Sequence, residues 1–287
     1  MKQTQTQFTA SIARPADFQS IARLCKRAVG PRDYVLFFLS KAIAEKGVFL
    51  AWKGQELVGM TNFEKCVDGS GWLSMARTDP TWRRTGVAIF LQKQIAAFAT
   101  RRGITALRLW TSAKNKPSLS AIRKGGFRDI CEAAQISCSL RAKVRKRVIT
   151  PLGRLSGAQL ESLLNSPYLS QLNGYMAYKW HFVDAKKSLP KLLHRRELYS
   201  RGESRFILAR TDRVFGRVGF STTLLNGPIT ASLRNSKETA RMLGAQVIRA
   251  YLPYDRYLLS AARKLGFRRT PWGRHCLVFE KNTQSTL

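Results

Sequence analysis

Acidic residues, histidines and paired cysteines are scarce in this sequence. Seventeen Asp and Glu residues stand against 50 Lys and Arg residues, there are three histidines, and the formal net charge is +33. The five cysteines include no Cys-x-x-Cys pair, so no metal site is predicted and the thiols are expected to be reduced. No apolar run reaches the roughly 18 residues of a membrane span. We therefore expect a cytoplasmic protein with no membrane partner.

The excess of positive charge has two interpretations. A field of this size attracts polyanions and repels polycations. It could serve a nucleic acid or nucleoprotein partner held through its phosphates, or it could simply belong to a solvated, acid-poor surface. No helix-turn-helix, zinc-finger or basic-zipper pattern is present, so base-specific recognition is not predicted.

A small-residue turn between a strand and a helix is the first chemical signal. Trp72–Thr78 is predicted to be a strand closed by Asp79-Pro80, and Val87–Thr100 is predicted to be a helix. Between them lies the sequence Arg83-Arg84-Thr85-Gly86-Val87-Ala88. The backbone N–H groups and the dipole at such a helix start favour a phosphate group, and two arginines add charge. Taken alone, the hexapeptide is equally compatible with an ordinary helix start.

A second motif follows the next predicted strand, Ala106–Thr111. Pro117 lies at an early helical position, where its missing N–H costs nothing, and glycines after Lys124 suit the end of the helix. The spaced residues of this motif are Asn115, Ser118, Lys124, Gly126 and Phe127.

Together the two motifs resemble those of the GCN5-related N-acetyltransferases (GNAT), over residues 8–140. The resemblance implies an α/β fold with a mixed sheet flanked by helices, acetyl-CoA as a substrate, and an amine acceptor. In that family the first motif binds the pyrophosphate, a backbone N–H near the end of the fourth strand polarises the thioester, and the second motif shapes the pantetheine side. The residues assigned to acetyl-CoA in this way are Ala76, Arg77, Thr78, Arg83, Arg84, Thr85, Gly86, Val87, Ala88, Asn115, Ser118 and Lys124.

The catalytic groups are less well defined by the resemblance. The family often has a tyrosine as general acid four residues after Ser118, where this chain has Ile122, which cannot donate a proton. The carboxylates closest to the fourth strand are Glu64 and Asp79, either of which could instead be a surface or turn residue. Tyr34 or a chain of waters could also serve. The alternative function is a nucleic-acid- or ribosome-associated protein on this scaffold, with weak or no catalysis.

The second half of the chain looks like an altered copy of the first. Phe206–Ala209 aligns with Phe49–Trp52 at an offset of 157, and Arg263–Arg268 aligns with Arg123–Arg128 at an offset of 140. The difference of 17 predicts lost residues between the two segments, where a short helix is expected at Ser236–Leu243.

The predicted organisation is therefore two GNAT-like domains in tandem. Residues 1–140 would form the acetyl-CoA-binding domain, 141–156 a basic linker, and 157–287 a degenerate domain. The segment Arg234–Thr239 contains no glycine, so the second domain is expected to lack the pyrophosphate loop. The acceptor and the oligomeric state stay open.

Overall fold

The computed structural model describes residues 8–140, 149–214 and 217–284, so residues 141–148 of the predicted linker lie outside it. The described chain forms two compact units. The first contains 8–109, 117–128 and 280–284, and the second contains 110–116 and the described part of 129–279. The units therefore interleave along the sequence.

The first unit is built on a mixed sheet flanked by helices. In chain order, the elements from the start to the second motif are β1 Thr9–Ile12, α1 Phe18–Ala28, α2 Val35–Ala44, β2 Val48–Lys53, β3 Glu56–Lys65, β4 Gly71–Thr78, α3 Val87–Thr100, β5 Ala106–Ser112 and α4 Lys116–Lys124. The strand order is β1-β2-β3-β4-β5. Neighbouring strands are antiparallel except for β4 and β5, which are parallel. This confirms the predicted mixed sheet flanked by helices.

Helix α3 packs on this sheet through a regular apolar stripe. Val87, Leu91 and Ile95 recur every four residues, so they share one face of the helix, and all three are buried. Gly59 on β3 allows the close approach, because an added Cβ there would lie 2.4 Å from Cγ1 of Val87. The packing fixes the start of α3 against the sheet.

A buried ion-pair network also belongs to the first unit. The Arg108 guanidinium on β5 lies 2.5 Å from Oδ2 of Asp68, 2.7 Å from Oε2 of Glu280 and 2.8 Å from Oγ of Ser70. Burial alone would lower the pKa of Arg108, but the two carboxylates outweigh it and raise that pKa. The network joins the β3–β4 turn, β5 and residues 280–284.

The remaining elements belong mainly to the second unit. They are β6 Arg128–Ser139, α5 Gly157–Leu164, α6 Pro167–Ser170, β7 Tyr175–Tyr178, β8 His181–Asp184, α7 Ala185–His194, β9 Leu198–Arg201, β10 Ser204–Val214, β11 Arg217–Asn226, α8 Ile229–Met242, β12 Val247–Pro253, α9 Arg256–Lys264, β13 Arg268–Arg269 and β14 Cys276–Asn282. The strand order is β14-β6-β12-β11-β10-β9, with β13 paired to β6 and a separate hairpin of β7 and β8. The last residues of β14 fall within the first unit.

The predicted short helix at Ser236–Leu243 was wrong. Helix α8 has 14 residues, the same length as α3. Its buried face includes the small polar residues Ser232, Ser236 and Thr239, so the apolar period that marks a helix start in a sequence is weak here. The segment Arg234–Thr239 consequently lies inside α8 and is not the counterpart of the phosphate turn.

The predicted loss of 17 residues was also wrong. Strand β11 pairs in parallel with β12, just as β4 pairs in parallel with β5, so β10 and β11 match β3 and β4 in the element order. The earlier alignment had matched this hairpin with β2 and β3. Helix α8 begins 142 residues after α3, and α9 begins 140 residues after α4, which leaves no large gap.

Among the described residues, none of the helices combines the length and the apolar character of a membrane span. The same residues contain no group of three or more His, Cys, Asp or Glu side chains arranged to hold a metal ion.

Candidate functional site

The predicted phosphate turn forms an exposed loop in front of α3. Arg83, Arg84, Thr85 and Gly86 are all exposed, and a short 3-10 turn, Pro80–Trp82, precedes them. Gly86 is the N-cap of α3 with φ of 96°, a left-handed conformation that favours glycine. A Cβ added to Gly86 would meet no atom within 4 Å. The first N–H groups of α3 lack helical partners and can donate to a ligand at this open position.

Local hydrogen bonds hold this turn in place. The Thr85 hydroxyl donates to the Trp82 carbonyl at 2.7 Å, and Nη2 of Arg83 donates to the Ala28 carbonyl at 2.9 Å. One of these bonds lies within the turn and the other joins it to the end of α1. Because the turn is already ordered, ligand binding costs less conformational entropy.

Asp79, a predicted base, anchors the chain just before the turn. Its carboxylate accepts hydrogen bonds from the backbone and the hydroxyl of Thr81 and pairs with Nε of Arg27 at 2.6 Å. Burial would raise the pKa of Asp79, but these partners outweigh it and hold the pKa below its usual value. A carboxylate that binds protons so weakly is a poor general base.

Strand β4 separates from β5 after a short stretch of pairing. Parallel pairs join Gly71 to Leu107 and Trp72 to Arg108, and along these described strands they go no further, although β4 continues to Thr78. Beyond Trp72 the backbone groups of β4 on that side pair with no strand in the described part of the chain. They are consequently available to a ligand.

A bulge near the end of β4 redirects its backbone. On β3, Met60 pairs with Arg77 and Asn62 pairs with Ser74, so β4 contains one extra residue there, and Met75 has φ of 55°. Nη1 of Arg77 donates to the Ala76 carbonyl at 2.8 Å and fixes the orientation of this peptide. The stretch Ala76–Thr78 predicted to contact the thioester thus lies at an irregular, fixed point of the strand.

Arg77 itself pairs with Asp33, which the sequence did not single out. Two nitrogens of Arg77 lie 2.7 and 2.6 Å from the two oxygens of Asp33, whose side chain is fully buried. Burial alone would lower the pKa of Arg77, but Asp33 outweighs it and raises that pKa. The guanidinium also lies 5.2 Å from the centre of the Tyr34 ring. Arg77 therefore links the bulge of β4 to the α1–α2 loop.

Cys25 lies close to this pair but is not poised as a nucleophile. Its side chain is buried, and burial together with the negative charge of Asp33 raises the pKa of the thiol to about 11. A thiol in that state carries little of the thiolate form that reacts.

Glu64, the other predicted base, is half-buried on β3. Oε1 of Glu64 accepts hydrogen bonds from Nδ2 of Asn62 at 3.0 Å and from the Ser74 hydroxyl at 3.5 Å. Its partner across the sheet is Trp72, which lies four positions before Ala76, or roughly 13 Å along a strand. The backbone of Glu64 is therefore several residues away from Ala76, whereas its carboxylate reaches Ser74, which directly precedes the bulge.

The second motif forms α4 and the turn before it. Asn115 is exposed, and its Nδ2 donates to the Thr111 hydroxyl at 3.4 Å, while Ser118 is half-buried and Lys124 is exposed. Ile122 is 3% exposed, so the position that the family often gives to a catalytic tyrosine is a packing position in this chain.

A mixed sheet whose parallel fourth and fifth strands part beside a glycine turn is the arrangement of the GNAT acetyltransferase fold. Residues 16–127 match the family model described as "Acetyltransferase (GNAT) family". No curated protein sequence matches the chain. The chain thus has the GNAT acetyltransferase fold.

Solved structures support this fold over nearly the whole chain. A GCN5-related N-acetyltransferase of Sphaerobacter thermophilus has a TM-score of 0.57 at 11% identity, covering 96% of each chain. A Thermoplasma acidophilum protein, provisionally described as an acetyltransferase, has a TM-score of 0.54 at 15% identity, covering 98% of this chain and 93% of its own. A GCN5-related glucosamine N-acetyltransferase region of a fungal multi-domain enzyme has a TM-score of 0.58 at 11% identity, covering 96% of this chain and 38% of its own.

The site residue that sequence reasoning missed is Asp33. It stands 44 residues before its partner Arg77, and no local pattern connects the two. In the sequence, Asp33 is marked only by its place before the apolar run of α2, a pattern that predicts a helix start. The structure agrees with that role, since Oδ1 of Asp33 accepts a hydrogen bond from the Val35 N–H at 3.1 Å.

Proposed function

We propose that this protein is an acetyl-CoA-dependent N-acetyltransferase that binds a single acetyl-CoA at the phosphate turn of the first unit. The open turn at Gly86 carries the proposal. It offers unpaired helix N–H groups, a position free of neighbouring atoms, and the exposed side chains of Arg83 and Arg84 to a pyrophosphate. The chain's own residues therefore fit the anionic part of acetyl-CoA.

We place the thioester of acetyl-CoA at the end of β4 that has separated from β5. Backbone N–H groups at Ala76–Thr78 would hydrogen-bond its carbonyl, and Arg77 would keep the bulge in the required orientation. An amine then attacks the carbonyl carbon, the C–N bond forms, the C–S bond breaks, and the amine's proton goes to water. Ile122 supplies no proton to the sulfur, so a thiol of pKa about 8.5 would leave as thiolate.

Glu64 and Asp79 are the candidate bases. Asp79 accepts three hydrogen bonds and has a lowered pKa, which disfavours it as a base. Glu64 remains, acting through water along β4. If Glu64 is the base, Glu64→Gln should lower kcat and flatten the acidic limb of the pH profile of kcat. An unchanged pH profile would mean that water alone accepts the proton of the amine.

The charge of the protein bears on the acceptor. A net charge of +33 disfavours a Lys-rich peptide tail and favours an amine on an acidic molecule or one already bound to nucleic acid. Competing a panel of such amines for transfer of labelled acetyl groups would test this preference.

We also propose that residues 157–287 are a degenerate copy of residues 1–140, joined to them by the linker 141–156. In support, α7 begins 150 residues after α2, and the residues Lys46 and Arg196, also 150 apart, both have positive φ just after these helices. The segment around the start of α8, Leu225–Thr230, contains no basic residue, and the Gly227 carbonyl accepts from the Tyr168 hydroxyl. One acetyl-CoA per chain is therefore expected.

Calorimetry with acetyl-CoA tests the proposed site. Gly86→Glu should abolish binding, because its carboxylate would project into the open position and repel the pyrophosphate. Gly86→Ala is the matched control, since it carries only the left-handed backbone strain of about 1–2 kcal/mol. A wild-type chain that binds no acetyl-CoA, or a Glu variant that binds as well as the Ala variant, would refute the site.

A further inference from the structure

Helix α7 of the second unit has one basic side and one buried side. Its buried residues, Ala185, Ser188, Leu189 and Leu192, recur at spacings of three and four and so share one face. The exposed basic residues of this helix and of the turn after it form a group that we call the α7 basic face: Lys186, Lys187, Lys191, Arg195 and Arg196.

Three of these charges form a row along the helix. Lys187, Lys191 and Arg195 are spaced by four residues, so they lie on one side, about 6 Å apart along the axis. Like charges at this spacing destabilise a helix by roughly 0.2–0.5 kcal/mol per pair. An anionic ligand that bridges them would remove this repulsion.

Two carboxylates stand close to the row along the chain. Asp184 caps the helix by accepting the Lys187 N–H at 2.9 Å. Glu197 accepts the Tyr178 hydroxyl at 2.8 Å, and Nη1 of Arg195 lies 3.4 Å from the same hydroxyl oxygen.

The matching helix of the first unit lacks such a row. Helix α2 also has ten residues and also precedes a strand and a hairpin, but Lys41 is its single lysine, and it exposes Phe37 at 65%. A basic face is thus not needed to build a helix at this place in the fold.

We propose that the α7 basic face binds the phosphate backbone of a nucleic acid. Evenly spaced Lys and Arg side chains match a polyanion with regularly spaced charges. The apolar side of α7 is buried in the protein, so the helix has no face to insert into a lipid surface. Exposed Lys and Arg side chains contact mainly phosphate oxygens, which carry no sequence information, so we expect binding to depend little on sequence. This inference does not depend on acetyl transfer.

Fluorescence anisotropy with a labelled single-stranded RNA of about 20 nucleotides and a DNA duplex of similar length tests the proposal. Lys186→Gln/Lys187→Gln/Lys191→Gln should weaken binding about tenfold or more, and the slope of log K against log salt should fall by about 2. The matched control is Arg234→Gln/Arg241→Gln/Lys264→Gln, which removes three exposed charges from α8 and α9 of the same unit.

The control triple should keep the wild-type slope, and both triples should keep the wild-type melting temperature. Equal losses in the two triples would mean that net charge alone attracts the nucleic acid and would overturn the proposal. So would a wild-type protein that binds neither probe. Vesicles containing phosphatidylserine form a third arm: if the α7 triple loses only vesicle binding, the face is a membrane contact.

Discussion

Replacing Asp68 by Asn should be one of the more damaging isosteric changes in the first unit. The side chains of Asp68 and Arg108 are 1% and 5% exposed, whereas that of Glu280 is 28% exposed. Removing one partner of a buried pair leaves an uncompensated charge and costs about 3–5 kcal/mol. Because Glu280 still faces Nε of Arg108, we expect the lower end, about 3 kcal/mol, for Asp68→Asn. Glu280→Gln, closer to solvent, should cost about 1 kcal/mol.

Urea unfolding followed by circular dichroism measures both changes as shifts of the midpoint at constant m. Glu45→Gln is the matched control, because its pair with Lys41 is 53% exposed on both sides and should contribute less than about 0.5 kcal/mol. Should Asp68→Asn cost no more than Glu45→Gln, the buried network would not be what holds the β3–β4 turn to β5.

Three further predictions concern the site. Gly59→Ala should destabilise the protein by about 1–3 kcal/mol in thermal unfolding, because its Cβ would meet Val87, whereas Gly157→Ala, with open space around it, should be nearly neutral. Asp79→Asn should remove stability that is present above about pH 4 and lost as the pH falls, since the folded-state pKa is lowered; unfolding measured between pH 2 and 7 would show a flatter profile. Ile122→Tyr should destabilise by about 1–3 kcal/mol through overpacking, and a gain in acetyl transfer would contradict the buried position of that side chain.

Local signals predicted much of the first unit. Helix α3 has the predicted bounds, Val87–Thr100, because a glycine turn precedes a strong apolar period. Strand β4 starts one residue before the predicted Trp72. Helix α8 was misjudged because half of its buried residues are Ser or Thr, and burial of such residues is decided by tertiary packing.

Long-range pairing could not be predicted in this way. The contact of Asp33 with Arg77 and that of Arg108 with Glu280 join residues 44 and 172 positions apart. A sequence pattern reports which side of its own element a residue occupies, whereas strand order decides which distant residues meet. The predicted tandem arrangement accordingly missed the contribution of residues 280–284 to the first unit.

The contribution of residues 280–284 to the first unit determines when that unit can finish folding during synthesis. Residues 280–284 emerge about 150 positions after residue 128, the last earlier residue of the first unit. At about 5–20 residues per second, synthesis of the intervening chain takes roughly 8–30 s. During this time Arg108 lacks its partner Glu280, and the first unit is incomplete. The first unit, although most of it is synthesised first, is therefore completed only after the second unit has been synthesised.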